Sequence, residues 1–257
     1  MMVRVRSFAG TFVAVVLCGV FTAAASASPA TSPGQGSSPA TSPALSPTAI
    51  VRHVTHMRGS LRVGAHGPGV RLLQDELARL RYAVPVSGRF DQATGRAVLA
   101  FRKVVGLERV ESASAGVFQR LRHGAGRFHV RYPRDGKHVE ADLSKQVLAE
   151  IEHGKVRRIY TISSGKPSTP TVLGRFHVYS KTPGTNSEGM VDSNYFIRGY
   201  AIHGYVEVPP YAASHGCLRI PIPDAPAVFA WVQVGYPVDV YTDNGRGSRT
   251  VRADAGP

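Results

Sequence analysis

Cysteine is scarce in this chain: two in 257 residues, Cys18 and Cys217. Cys18 falls inside a segment with the marks of a secretory signal: Arg4 and Arg6, an apolar run over residues 8–21, and the small residues Ala25-Ser26-Ala27 at a cleavage site. Removal of residues 1–27 leaves Cys217 alone, which excludes an intramolecular disulfide. In an oxidising compartment a lone thiol either pairs between chains or has a chemical task. Leu17 occupies the place where a lipoprotein signal needs a small residue, which argues against lipid attachment at Cys18. The alternative to cleavage is an anchor, since about 20 apolar residues span a bilayer. Contact with a membrane is then expected only through an uncleaved signal.

Acidic residues are also few, 17 against 31 Lys and Arg, for a formal charge of +14 that falls to about +12 once Arg4 and Arg6 leave with the signal. A basic exported chain is drawn to anionic surfaces such as wall polymers or lipid headgroups. The cations are scattered, with no basic helix and no nucleic-acid-binding motif, so nucleic acid is not an expected partner. Around Cys217 the only carboxylates close in sequence are Glu207 and Asp224. A zinc site on His203, His215 and Cys217 would therefore still need a fourth ligand or a water, and neither a metal nor a cofactor is expected.

A hydrophobic content of 43% is ordinary for a chain with a packed core. Residues 28–57 are an exception, rich in Ser, Pro, Ala and Thr with the repeat Ala30-Thr31-Ser32-Pro33 and Ala40-Thr41-Ser42-Pro43. They read as an extended linker. Within residues 58–124 the pattern becomes helical. Val70, Leu73, Leu77 and Leu80 mark one buried face after Pro68, a residue suited to a first turn. A second helix is expected to start at Asp91 as N-cap, to bury Ala97, Val98, Phe101 and Val105, and to stop at Gly106.

The string Leu61-Arg62-Val63-Gly64, Gly69-Val70, Leu73-Gln74, Leu77, Leu80, Tyr82, Gly88-Arg89-Phe90, Thr94, Ala97-Val98, Phe101 and Gly106-Leu107 resembles the three-helix type of peptidoglycan-binding domain. That resemblance implies a small all-α module that binds wall glycan and peptide.

Over residues 126–243 short β-rich runs replace helices, at 138–143, 146–151, 156–163, 174–179 and 237–241. Glu152-His153-Gly154-Lys155 reads as a hairpin turn. Frequent Gly and Pro between the runs favour an all-β sandwich or barrel. The polar tail, residues 244–257, is expected to fray.

Two stretches concentrate chemistry: Ala201-Ile202-His203-Gly204 and Ser214-His215-Gly216-Cys217-Leu218-Arg219. A thiol needs a base or a positive charge to ionise near neutrality, and histidine is the usual assistant. His203 lies fourteen residues before Cys217 and returns beside it if a strand, a loop carrying Pro209-Pro210 and a second strand turn the chain back. Gly216 permits close backbone approach, so N–H groups near Cys217 can face an oxyanion. Arg219 falls on the same face of an extended segment, where a guanidinium could pair with a carboxylate. Taken singly, Cys217 fits a β-core and His203 fits a hydrogen bond to a neighbouring strand.

His203, a ten-residue gap and Ser214-His215-Gly216-Cys217 resemble the signature of L,D-transpeptidase catalytic domains, all-β cysteine enzymes of bacterial walls. Val139-Glu140-Ala141-Asp142-Leu143, the string from Ser164-Gly165-Lys166 through Thr169-Pro170-Thr171, and Gly174-Arg175-Phe176 resemble the family's opening strands and its Thr-Pro-containing region.

The resemblance implies that Cys217 is the nucleophile and His203 the base, its ring oriented by the carbonyl of Gly204. His215, Gly216 and Cys217 would offer backbone N–H groups to the oxyanion. Ser214, Arg219, Tyr195 and Tyr200 would contact substrate, though for either tyrosine alone a place in the β-core is the better-supported reading. The implied partners are peptidoglycan stem peptides and glycan, and the implied place is outside the cytoplasm in the wall. The implied reaction would release the terminal D-alanine of a tetrapeptide stem and make a 3→3 cross-link. An L,D-carboxypeptidase and a non-catalytic peptidoglycan-binding protein are the alternatives.

Overall fold

The computed structural model describes residues 59–243. The expected signal (1–27), linker (28–57) and tail (244–257) lie outside the described residues, within which no helix is long and apolar enough to cross a membrane.

Three helices come first: α1 (Pro68–Arg79), α2 (Gln92–Val104) and α3 (Ala115–Arg122). Pro68 sits in the first turn of α1, where its missing N–H costs nothing. The Asp91 carboxylate caps α2 by accepting from the N–H of Thr94 at 2.8 Å. Gln74 ties the helices together, its amide reaching the hydroxyl of Thr94 at 2.9 Å and the carbonyl of Arg89 at 2.8 Å.

Nine strands follow: β1 (Lys137–Asp142), β2 (Val147–Glu152), β3 (Lys155–Thr161), β4 (Gly174–His177), β5 (Ser180–Thr185), β6 (Val191–Ile197), β7 (Tyr200–Tyr205), β8 (Leu218–Pro221) and β9 (Pro237–Tyr241). They form a five-stranded sheet in the order β3-β2-β1-β9-β4 and a four-stranded sheet in the order β5-β6-β7-β8. A short helix, α4 (Ala225–Trp231), preceded by a 3-10 turn at Ile222–Asp224, follows β8. The β2–β3 hairpin turns at His153-Gly154, both with positive φ, at 50° and 71°. That is the turn whose twist matches two antiparallel strands.

Strand β2 is buried on both faces, and its alternation assigns each side chain to one of two cores. Leu148 joins Val139, Ala141, Phe176, Val238 and Val240 against Phe196, Ile202, Leu218 and Ile220 of the second sheet, closing the sandwich. Val147, Ala149 and Ile151 face the other way and share a core with Leu73, Leu77, Phe101 and Phe118 of the helices. The helical module also extends the sheet. Ala83 donates to the Ile159 carbonyl at 3.0 Å and Ile159 to that of Arg81 at 2.8 Å, a parallel bridge between Tyr82 and Ile159.

The expected strand positions fall within a few residues of those observed. Strands β5 and β6 and helix α4 were not anticipated: β5 is polar with Pro183-Gly184 inside it and carries no clean period-2 signal, and α4 has only seven residues.

Candidate active site

Strands β7 and β8, on either side of the loop that carries Pro209-Pro210, run parallel. Their register pairs Ile202 with Leu218, His203 with Arg219 and Gly204 with Ile220. Ile202, Leu218 and Ile220 point into the sandwich core. Strict alternation then sends His203 and Tyr205 of β7 to the same outer face as Arg219. One residue before the ladder starts, Cys217 lies level with Ala201, on that face and diagonal to His203. Diagonal neighbours are spaced so that a ring can span the gap. The remaining neighbours fit this placement: the Cys217 thiol is 3.9 Å from the Gly199 carbonyl, the His203 ring meets Tyr205 edge-on, and the Arg219 guanidinium stacks over Tyr205 at 4.0 Å.

His203 is buried, and its Nδ1 is 2.9 Å from the carbonyl of Gly204. A carbonyl only accepts, so Nδ1 carries the proton and Nε2 keeps a lone pair. Burial lowers the His203 pKa, opposed by the Gly204 carbonyl and assisted by Arg219. Burial raises the Cys217 pKa, while the backbone N–H of Ala201 and the charge of Arg219 pull it down. Both shifts favour the uncharged forms, a thiol and a neutral imidazole. Gly204 itself has no room for a side chain: a Cβ would sit 2.8 Å from that of Ala225 and 3.1 Å from that of Val191.

The loop before β8 is held from both sides. The Ser214 carbonyl accepts from the Lys166 N–H at 2.9 Å and from the Thr169 hydroxyl at 3.2 Å. The Gly216 carbonyl accepts from the Thr171 hydroxyl at 2.7 Å, and that hydroxyl accepts from the Gly165 N–H at 2.9 Å. A trans peptide carries its N–H opposite its C=O. Anchoring these two carbonyls therefore turns the N–H groups of His215 and Cys217 away from the 165–171 segment, and neither finds an acceptor among the described residues. The middle peptide faces the other way: the Gly216 N–H donates to the Ser214 hydroxyl at 3.0 Å. Gly216, expected as a third oxyanion donor, is already engaged.

Ser214, expected at the substrate, is buried and its hydroxyl is used within the loop, donating to the Cys217 carbonyl at 2.6 Å. The His215 ring is exposed, with Nε2 3.1 Å from Lys166 Nζ. The Tyr200 ring packs on Gly216, and Tyr195, level with Ala201 on β6, stacks obliquely on Tyr179. What the sequence alone did not single out is the supporting role of Thr169 and Thr171. The resemblance had drawn attention to this segment, but only tertiary contact shows which hydroxyl meets which carbonyl.

Comparison with known proteins gives four points. A family model described as the L,D-transpeptidase catalytic domain matches residues 136–240. One described as a peptidoglycan binding domain matches residues 66–110. Among solved structures the chain is similar to an L,D-transpeptidase from Xylanimonas cellulosilytica, at 33% identity and a TM-score of 0.67, over 72% of this chain and 98% of that one. It is also 30% identical over 121 residues to L,D-transpeptidase 1 of Mycobacterium tuberculosis, covering 39% of this chain and 48% of that protein, so it spans about half the length of that curated relative.

Proposed function

The chain belongs to the L,D-transpeptidase family, and on that premise we propose that it is an exported wall enzyme joining peptidoglycan stems through a Cys217 acyl-enzyme. The observation that carries the reading is the β7–β8 register, which puts the His203 ring and the Cys217 thiol on one face with the lone pair of Nε2 free.

In this reading a tetrapeptide stem presents the carbonyl of its third residue, a diamino acid, to Cys217. His203 Nε2 takes the thiol proton as sulfur bonds to the carbonyl carbon. The oxyanion is met by the N–H groups of His215 and Cys217, each such donor being worth about 2.7–4 kcal/mol in the transition state. Collapse to a thioester breaks the amide bond, and the imidazolium returns its proton to the leaving D-alanine amine. A side-chain amine of a second stem then attacks the thioester, His203 again accepting the proton, to give a 3→3 cross-link and the free thiol. Arg219 holds a substrate carboxylate in this reading, a role supported by the pairing geometry of a guanidinium with a carboxylate. The helical module and the basic charge hold the enzyme to the anionic wall.

The test is incubation of the protein lacking residues 1–27 with disaccharide-tetrapeptides, followed by mass spectrometry. Released D-alanine with cross-linked dimers, both lost in Cys217→Ala, is the expected result. Tripeptide without dimers would make water the acceptor and the enzyme an L,D-carboxypeptidase. Sacculus binding with no product, unchanged in Cys217→Ala, would overturn the catalytic reading.

A further inference from the structure

Three cations of the helical module reach across to the segments that carry the site. Lys103, in the last turn of α2, is 3% exposed, and its ammonium donates to the Gln146 carbonyl at 3.1 Å, the Thr161 hydroxyl at 2.6 Å and the Ile162 carbonyl at 2.9 Å. Those are the three bonds an ammonium can make. Arg109, just beyond α2, donates to the Pro210 carbonyl at 3.0 Å and the Ser144 carbonyl at 2.9 Å. Arg96 pairs with both carboxylate oxygens of Asp224, at 3.0 and 3.1 Å, at the head of α4, where Ala225 packs on Gly204.

From these footholds the path to Cys217 is short. Ile162 leads into Ser163, which exchanges backbone bonds with Arg219 at 2.9 and 3.0 Å and donates its hydroxyl to the Tyr211 carbonyl at 2.6 Å. The Ser164 carbonyl accepts from Ala213 and Ser214 at 2.8 and 2.9 Å. Gln146, whose own carbonyl Lys103 holds, grips Ser164 with both ends of its side-chain amide, at 2.7 and 2.9 Å. Pro210 lies in the loop between His203 and Cys217.

Burial, and after it the charge of Arg109, pull the Lys103 pKa down to about 7. An ammonium is therefore an expensive way to dock two surfaces that already share an apolar core, and an aliphatic side chain of similar size would serve adhesion as well. What the cation adds is direction, since it fixes two named carbonyls in place.

We propose that the helical module is a working part of the catalytic site, with Lys103 and Arg109 as positioning residues. They set the turn at 143–146, the segment 162–164 and the loop 206–213, and through these the place of Cys217 relative to His203. This rests on the reading of Cys217 as the nucleophile.

The test is the rate at which a carbapenem acylates Cys217 in the chain lacking residues 1–27, followed by intact mass over a range of carbapenem concentrations. A soluble acylating agent needs no wall binding, so lost affinity for the sacculus cannot imitate the effect. Arg109→Ala is expected to lower the limiting rate about tenfold while moving the half-saturating concentration by less than about twofold. Arg109→Lys, which can still reach one carbonyl, is expected to recover part of the rate. Lys103→Met is expected to act in the same direction, with its unfolding temperature measured alongside; should it fail to fold, the Arg109 pair decides. Arg71→Ala, an exposed cation of α1 whose ion pair is with Asp75, is expected to keep the wild-type rate. A wild-type limiting rate in Arg109→Ala overturns the proposal, as does an equal loss in Arg71→Ala. No adduct on the wild-type protein is a distinct failure, that of the nucleophile reading, and the proposal falls with it.

Discussion

The ring of Tyr200 lies against Gly216 so closely that a Cβ on residue 216 would overlap its Cε1 and Cδ1 atoms, and Gly216 holds a φ of 128°. The first residue of β7 thus fixes the residue before the proposed nucleophile. Tyr200 thereby shapes the loop that carries Cys217.

Gly216→Ala is expected to cut Cys217 acylation about a hundredfold, because displacement of a reacting atom by about 1 Å costs that much. Backbone strain at a positive φ adds about 1–3 kcal/mol of instability. Combining it with Tyr200→Ala removes the overlap, so the double variant should acylate faster than the product of the two single losses. Rates of the four proteins close the cycle, and a strictly multiplicative result would show that Tyr200 and Gly216 act independently.

Acylation should depend on pH in a way set by a neutral resting pair. His203 titrates below its ordinary 6.5 and Cys217 above its ordinary 9.0. The rate is expected to fall in acid as the imidazole protonates, to hold level between, and to rise again in alkali as the thiol ionises unaided. A bell with thiolate absorbance already present at neutral pH would contradict this order. The same shift has a linkage sign: the unfolded chain binds the imidazole proton more readily, so the His203 contribution to stability is lost as pH falls through its folded pKa.

Thr171→Val should damage activity without removing any group that meets substrate. The hydroxyl holds the Gly216 carbonyl, which belongs to the same peptide as the Cys217 N–H, and it satisfies the Gly165 N–H. The buried Gly216 carbonyl left unpaired costs about 1–3 kcal/mol by urea unfolding, and the half-buried Gly165 N–H adds less. A fall in the limiting acylation rate is expected with them; unchanged acylation would mean that the Cys217 amide needs no such anchor.

Glu150 offers a stability prediction away from the site. Burial raises its pKa to about 7, against Arg158 and a hydrogen bond from Tyr160 that lower it. A raised folded pKa means that the folded state holds the proton more tightly, so this contribution is full below the ordinary 4.5 and is lost as pH rises through about 7. Glu150→Gln should therefore be more stable than the wild type at pH ~8 by about 1–3 kcal/mol, with the difference closing on acidification. Thermal unfolding at several pH values checks it.

Local signals made α1 and α2 legible. Pro68 at a first turn, Asp91 at an N-cap and a step of three and four between apolar residues all act within one turn of chain. His153-Gly154 is equally local, since two adjacent residues with positive φ suffice to reverse a strand. Strands β5 and β6 were not legible, because pairing with the next strand along the chain, not an alternation in their own composition, makes them strands.

For the site, the sequence by itself determined the chemical inventory: one thiol left after the expected signal, a histidine upstream, and small residues before the thiol. Tertiary structure decided how they meet. The parallel register of β7 and β8 chose the shared face, and the hydroxyls of Ser214 and Thr171 chose which amides face inward and which remain open. Lys103 and Arg109, on the helical module, reached carbonyls of the catalytic domain 35 to 101 residues away along the chain. A residue's type is written in the chain, but a hydrogen bond needs a partner at a set distance and angle. Across such separations only the packing of the two domains supplies that partner.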